Sequence, residues 1–162
     1  MAISQGDTLP DATLVENTKE GPKQVSLSER LKGRNVVIFA LPGAFTGTCT
    51  TAHVPSFIRT ADQFKSKGVD EIICLSVNDP FVMGAWDAQT GAGKAGIVML
   101  ADPSAEFTKA VGMDFSAPPV GLIDRSKRYA MYVTDGTVAV IQAEDNPGVC
   151  DASGGEAMLE AI

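Results

Sequence analysis

Residues 36–49 read Val-Val-Ile-Phe-Ala-Leu-Pro-Gly-Ala-Phe-Thr-Gly-Thr-Cys, and this stretch decides the fold. Its first six residues are apolar without a break and stop at Pro42-Gly43. A central strand buried on both faces reads this way. An amphipathic helix follows, with Val54, Phe57, Ile58, Ala61 and Phe64 recurring at three- and four-residue steps before Lys65, Lys67 and Gly68 close it. Pro55 lacks the N–H that would bond Thr51, so this helix should kink near its first turns. Cys49 therefore sits in or just before the first helical turn, at the carboxyl end of a central strand.

Outward from that point the pattern repeats. Residues 72–77 and 97–100 are further apolar runs. Asp79-Pro80 reads as a helix cap followed by proline at the first helical position. Val82, Ala85, Trp86 and Gln89 would lie along one side of that helix, which ends near Gly91. Asp102-Pro103-Ser104 should open another, carrying Phe107, Ala110 and Val111. Strands separated by helices imply right-handed crossovers and a mainly parallel core. In the last third, residues 129–133 and 138–141 flank Asp135-Gly136, a strong hairpin signal. Ser153-Gly154-Gly155-Glu156 fits a capping box for a terminal helix containing Met158, Leu159 and Ile162. Residues 113–124, with Pro118-Pro119, form the clearest long loop, and long loops often border sites. The order of elements describes an α/β, thioredoxin-like three-layer sandwich with a mixed central sheet, in a single domain over residues 1–162.

Composition narrows the function. The chain has 162 residues, 44% hydrophobic and 20% charged, with a formal net charge of −7. That balance argues against a broad electrostatic grip on nucleic acid or on an anionic membrane. No apolar run approaches the ~20 residues of a membrane span. The N-terminal residues show neither a basic region nor an apolar one, so no secretory signal is expected. Three cysteines, Cys49, Cys74 and Cys150, are too few for a disulfide scaffold. They point to a reducing, cytoplasmic setting, where cysteines are packed, metal-bound or reactive.

A free cysteine is ordinarily a small buried hydrophobe. Cys49 differs because of its position. Unpaired N–H groups and the positive end of the helix dipole favour an anion there, and the thiolate is the nucleophilic form. Ligands of open α/β sheets also bind past the carboxyl ends of strands.

Pro42, Thr46 and Cys49 form P-x-x-x-T-x-x-C, and the run PGAFTGTC-x-x-x-H-x-P resembles the active-site signature of the peroxiredoxins. More narrowly it resembles the atypical type II, peroxiredoxin-five-like branch. SVNDPFVMGAW (76–86), LADPSAEFTKAVGM (100–113) and RSKRYAMYVTDG (125–136) resemble further blocks of that family in the same order. The resemblance implies that the Cys49 thiolate attacks a hydroperoxide and becomes a sulfenic acid. It implies that the Thr46 hydroxyl and the N–H groups around Thr48 and Cys49 bind the peroxide oxygens, while Pro42 shields the thiolate. The family's arginine corresponds to Arg128 before Tyr129, with Arg125 as its rival. The reductant would be glutaredoxin with glutathione, or thioredoxin, and the assembly a homodimer. No metal, flavin or haem is implied. The chain departs from the pattern at Gly47, where the family usually has proline, and glycine loosens a turn that proline would pre-set.

Three other residues leave alternatives open. His53 lies one helical turn after Cys49, so the pair could be a pocket support, a hydrolase dyad or half a metal site. Cys74 sits in mid-strand as a core residue or a resolving thiol. Cys150 lies in the loop Asn146-Pro147-Gly148-Val149-Cys150-Asp151. The resemblance implies that a cysteine there can resolve the sulfenic acid; otherwise an outside thiol attacks Cys49. A non-enzymatic redox sensor remains the rival to an enzyme. Gly91–Gly96 fails as a phosphate loop, since Ala95 follows Lys94 and a strand follows both. No C-x-x-C is present, so the chain is not a dithiol oxidoreductase.

Overall fold

The apolar run that ends at Leu41 does form the middle of a sheet. A computed structural model describes residues 1–162. It begins with a hairpin of β1 (Thr13–Thr18) and β2 (Gly21–Ser26), then a short α1 (Leu27–Leu31) and β3 (Asn35–Leu41). After α2 (Val54–Ser66) come β4 (Glu71–Ser76), α3 (Pro80–Thr90), β5 (Ile97–Ala101) and α4 (Glu106–Ala110). A small ribbon of β6 (Asp114–Ala117) and β7 (Leu122–Ser126) precedes β8 (Tyr129–Thr134), β9 (Thr137–Ala143) and α5 (Gly155–Ala161). The main sheet has the order β2-β1-β5-β4-β3-β8-β9. β3, β4 and β5 run parallel, and the strands outside them pair antiparallel. The sheet is therefore mixed, as the order of elements implied.

Alternation along β3 explains why its sequence is apolar throughout. Val37, Phe39 and Leu41 join one core cluster with Val54, Phe57 and Phe64 of α2, Trp86 of α3 and Met158 of α5. Val36, Ile38 and Ala40 join the other, with Leu27 and Leu31 of α1 and Phe107 of α4. Two helical layers thus enclose the sheet. Phe57 stacks on Phe39 with ring centroids 4.1 Å apart and on Phe64 at 5.8 Å. Burying each such side chain stabilises the fold by about 1.5–3 kcal/mol. Phe57→Ala would remove the ring that fastens α2 to β3.

Local signals held where the chain alone settles the geometry. The Asp79 carboxylate accepts the Val82 N–H and caps α3, which ends on left-handed Gly91. Asp135 and Gly136 both adopt positive φ, 47° and 78°, as a tight two-residue hairpin requires. Elsewhere tertiary contacts displaced them. Residues 113–124 are largely not loop: most fold as the β6–β7 ribbon, closed by a 3-10 turn at Pro118–Val120. The fourth helix starts at Glu106, because buried Asp102 reaches past Ser104 to accept from the N–H groups of Phe107 and Thr108. The capping box at 153–156 does not form. Ser153 turns inward, Gly154 caps α5 without a side-chain bond, and Gly155 N–H donates to Ser56 Oγ of α2. The N-terminal hairpin carried no expectation, its residues being mostly half-exposed and polar.

Candidate active site

The segment between β3 and α2 is built as a tight turn and then a widened helical one. Thr46 Oγ1 donates to the Gly43 carbonyl at 2.7 Å, and Ala44 N–H donates to Asn78 Oδ1 at 3.0 Å, tying the turn to the chain beyond β4. Phe45 is held at φ 64°, a left-handed conformation that costs a residue with a Cβ roughly 1 kcal/mol or more. Residues Cys49–His53 then form a π-helical turn in which Val54 N–H bonds back to the Cys49 carbonyl. Pro55 is the physical reason: with no N–H to offer Thr51, the helix widens, which is the form the expected kink takes.

Cys49 is completely buried, whereas the sequence placed it toward an open crevice. What distinguishes it is the group above it. Arg128, 2% exposed and just ahead of β8, donates from Nη2 to Cys49 Sγ at 3.1 Å, from Nη1 to His53 Nδ1 at 2.9 Å and from Nε to the Pro147 carbonyl at 3.0 Å. None of the chain's ion pairs includes Arg128. A buried guanidinium without a carboxylate costs several kcal/mol unless another anion satisfies it. Of its three acceptors, a backbone carbonyl, the His53 ring and the Cys49 sulfur, only the last belongs to an acidic group.

His53 has both ring nitrogens engaged. Nε2 lies 2.9 Å from the Ser153 carbonyl, and Nδ1 faces Arg128. A carbonyl can only accept and a guanidinium can only donate, so the ring carries its proton on Nε2. Burial, reinforced by the Arg128 charge, pushes its pKa down to about 3. Phe39 and Phe57 wall the ring at centroid distances of 5.0 and 5.7 Å. With neither nitrogen free, His53 is not the base of a hydrolase dyad or a metal ligand. It is a support for Arg128.

Beside this network opens a cavity of ≈ 290 Å³ lined by Pro42, Thr46, Gly47, Thr48 and Arg128, with an apolar wall from Phe115, Ala117, Val120 and Leu122 of the ribbon. Thr46, having donated to Gly43, keeps its lone pairs for accepting. The N–H groups of Thr48 and Cys49 bond no backbone carbonyl. Arg125, the rival to Arg128, serves elsewhere: its Nη1 donates to the Pro42 carbonyl at 3.0 Å and lies where a side chain at Gly43 would be. Arg125 braces the ribbon against the turn.

The other cysteines lie apart from these donors. Cys74 is buried in β4 between Phe39 and Met99, and burial pushes its thiol well above the usual range. Cys150 is half-buried on the loop after β9, its thiol also raised by burial. That loop is not slack. Its Gly148 carbonyl accepts from Thr48 Oγ1 at 2.8 Å, Pro147 accepts from Arg128, and Glu144 gathers its far end through Asp151 and Ser153. Glu144 was not among the residues the sequence singled out, and Ser153 was singled out for another role. Ser153 read as a helix cap, and a carbonyl contact leaves no side-chain signature.

The Redoxin family model matches residues 4–159. Peroxiredoxin-2E-2, chloroplastic, from Oryza sativa subsp. japonica is 46% identical over 164 residues, covering 99% of this chain and 72% of the relative. Peroxiredoxin-2D from Arabidopsis thaliana is 41% identical over 99% of this chain and 98% of its own length. Among solved structures, reduced Prx3 in complex with H2O2 from Vibrio vulnificus superposes with a TM-score of 0.92 at 46% identity, covering 98% of both chains. Peroxiredoxin 5 from Alvinella pompejana gives 0.85 at 31%, covering 98% of this chain and 97% of that one. With a thioredoxin-like sheet, a cysteine under a buried arginine and likeness along nearly its whole length, the chain belongs to the peroxiredoxins, in their atypical type II branch, and is a thiol peroxidase.

Proposed function

We propose that Cys49 is the peroxidatic nucleophile and that its substrates are hydrogen peroxide and small organic hydroperoxides. The observation that carries this reading is the buried, carboxylate-free Arg128 donating to Cys49 Sγ at 3.1 Å. The thiolate sulfur attacks one peroxide oxygen as the O–O bond breaks. Sulfur loses two electrons to become the sulfenic acid, and the departing oxygen takes a proton to leave as water or an alcohol. Arg128 donors hold thiolate and peroxide together, Thr46 accepts the peroxide O–H, and the N–H groups of Thr48 and Cys49 meet the charge developing on the leaving oxygen. Pro42 and the apolar wall keep water out and suit a small organic tail. Gly47 and His53 shape the pocket without touching the reacting atoms.

A thiol then attacks the sulfenic sulfur, forming a disulfide and releasing water, and a second thiol reduces the disulfide. Cys150, on the loop that borders the site, is the internal candidate, and glutathione with glutaredoxin, or thioredoxin, the external one. Cys74 is the weakest resolver because burial keeps it a neutral thiol. Three free thiols suit a reducing compartment such as the cytoplasm. Phe45 and Val120, exposed beside the cavity, suit a homodimer formed across that face.

Stopped-flow mixing of reduced protein with hydrogen peroxide tests the reading. Trp86 donates to Thr50 Oγ1 at 3.2 Å, one residue from Cys49, so its fluorescence should report oxidation. A fast second-order phase followed by a unimolecular phase lost in Cys150→Ser assigns the internal resolver. A fast phase alone assigns an outside thiol. Oxidation no faster than that of a free thiol would sink the peroxidatic role and favour a passive redox sensor.

A further inference from the structure

We propose that Glu144 is a positioning residue of this site, acting on Cys49 through Ser153, His53 and Arg128. The inference rests on the peroxidase reading above and adds a residue to it. Glu144 lies just past β9, and its own N–H donates to the Arg128 carbonyl at 3.0 Å, so the two are cross-strand neighbours at the open end of the β8–β9 ladder. Opposite charges so placed would ordinarily pair. Here they do not. Glu144 Oε2 instead accepts from Asp151 N–H at 2.8 Å, Ser153 N–H at 2.7 Å and Ser153 Oγ at 2.6 Å.

Two consequences follow. First, the carboxylate is occupied away from the guanidinium, which leaves the Arg128 charge for Cys49. Second, Ser153 is clamped so that its carbonyl meets His53 Nε2 at 2.9 Å. That contact fixes the ring proton on Nε2 and presents Nδ1 to Arg128. The same clamp draws in the loop whose Pro147 carbonyl takes Arg128 Nε. Two of the three contacts that aim the guanidinium therefore lead back to Glu144. Burial works against the Glu144 charge, yet the Ser153 hydroxyl and the N–H groups of Ser153, Asp151 and Ala152 hold its carboxyl below the usual range. It remains the anion that such a clamp needs.

The chain has a single histidine, so one ring N–H resonance in the ¹⁵N-labelled protein reports on the clamp without ambiguity. The folded wild type should show a slowly exchanging Nε2–H signal. Glu144→Ala should lose it and react with hydrogen peroxide about tenfold more slowly, the effect of one lost charge-assisted hydrogen bond. Glu144→Gln keeps an acceptor oxygen and should keep the signal, with a loss of about threefold. If Glu144→Ala does not fold, Ser153→Ala removes only the hydroxyl bond and should give faster ring N–H exchange with a loss of about threefold. A folded Glu144→Ala that retains either the ring signal or the wild-type rate overturns the proposal, as does an unchanged Ser153→Ala where that variant stands in. A wild type without a fast peroxide phase would instead remove the peroxidase reading, whatever the ring signal shows.

Discussion

Cys49 and Cys74 are both fully buried, and both belong to the same apolar cluster. Cys74 stands in mid-strand, where backbone groups pair with β3 and β5 and no side-chain donor reaches its sulfur. Cys49 stands where the strand has ended and a widened helical turn begins, with a guanidinium 3.1 Å from its sulfur. Burial alone makes a cysteine inert, because an unpaired thiolate cannot survive in an apolar surround. Burial beneath a cation without a carboxylate partner is a different setting: low dielectric strengthens the hydrogen bond that the guanidinium gives the sulfur. The difference between the two thiols is therefore one of donors, not of exposure.

The largest test of that contrast exchanges each thiol for a hydroxyl. Cys49→Ser should abolish the fast peroxide phase in stopped flow. Cys74→Ser should leave the rate within about twofold while lowering stability to urea by roughly 1–3 kcal/mol, the cost of an unpaired buried hydroxyl. If Cys74→Ser slows the reaction severalfold in a folded protein, the two sites are not as separate as their surroundings indicate. Next in size, Arg128→Met keeps an unbranched side chain but removes every donor. Its rate with hydrogen peroxide should fall by about 10²–10³, in line with the loss of a preorganised donor. A loss below tenfold would mean that the arginine does not make Cys49 different.

Acid offers a smaller, graded test. The His53 ring titrates near 3 in the folded protein against an ordinary value of 6.5, so the unfolded chain binds its proton first. Its contribution to stability is whole above pH 6.5 and is lost as pH falls toward 3, amounting to about 2 kcal/mol at pH 5. Urea unfolding at pH 7 and pH 5 should show that slope, and His53→Gln should flatten it. A slope unchanged in the variant would mean that the ring is not the buried, neutral support described above.

The smallest effect concerns Gly47, an exposed residue two positions before Cys49. A side chain there meets nothing within 4 Å, and Gly47 does not have the positive φ that only glycine suits. Gly47→Pro should raise stability by about 0.4–1 kcal/mol, chiefly by restricting the unfolded chain. Thermal unfolding measures the gain, and the peroxide rate should stay within about twofold. A loss of stability would show that the turn requires a conformation proline cannot take.

The parts of this molecule legible in its sequence are those that neighbouring residues decide among themselves. The apolar run 36–41, the helical spacing from Val54 to Phe64, the Asp79 cap and the Asp135-Gly136 turn each carry their reason within a few residues. So does the placement of Cys49 past a strand end, and the family signature supplied Pro42, Thr46 and Arg128. Distance along the chain hid the rest. Arg128 meets Cys49 and His53 across separations of 79 and 75 residues, and His53 meets Ser153 across 100. Even Glu144 was nearly within reach. A two-residue turn pairing 134 with 137 would, unbulged, set 128 opposite 143, but the irregularity between Tyr132 and Val133 moves the partner to 144. Sequence by itself thus determined the parallel core of the sheet, its central strand and the place of Cys49 past the end of that strand, because hydrophobic period and local capping are short-range. Only the tertiary structure decided which cation reaches the sulfur, which tautomer His53 holds and which buried thiol is left without a donor, because those depend on groups that folding alone brings within hydrogen-bond distance.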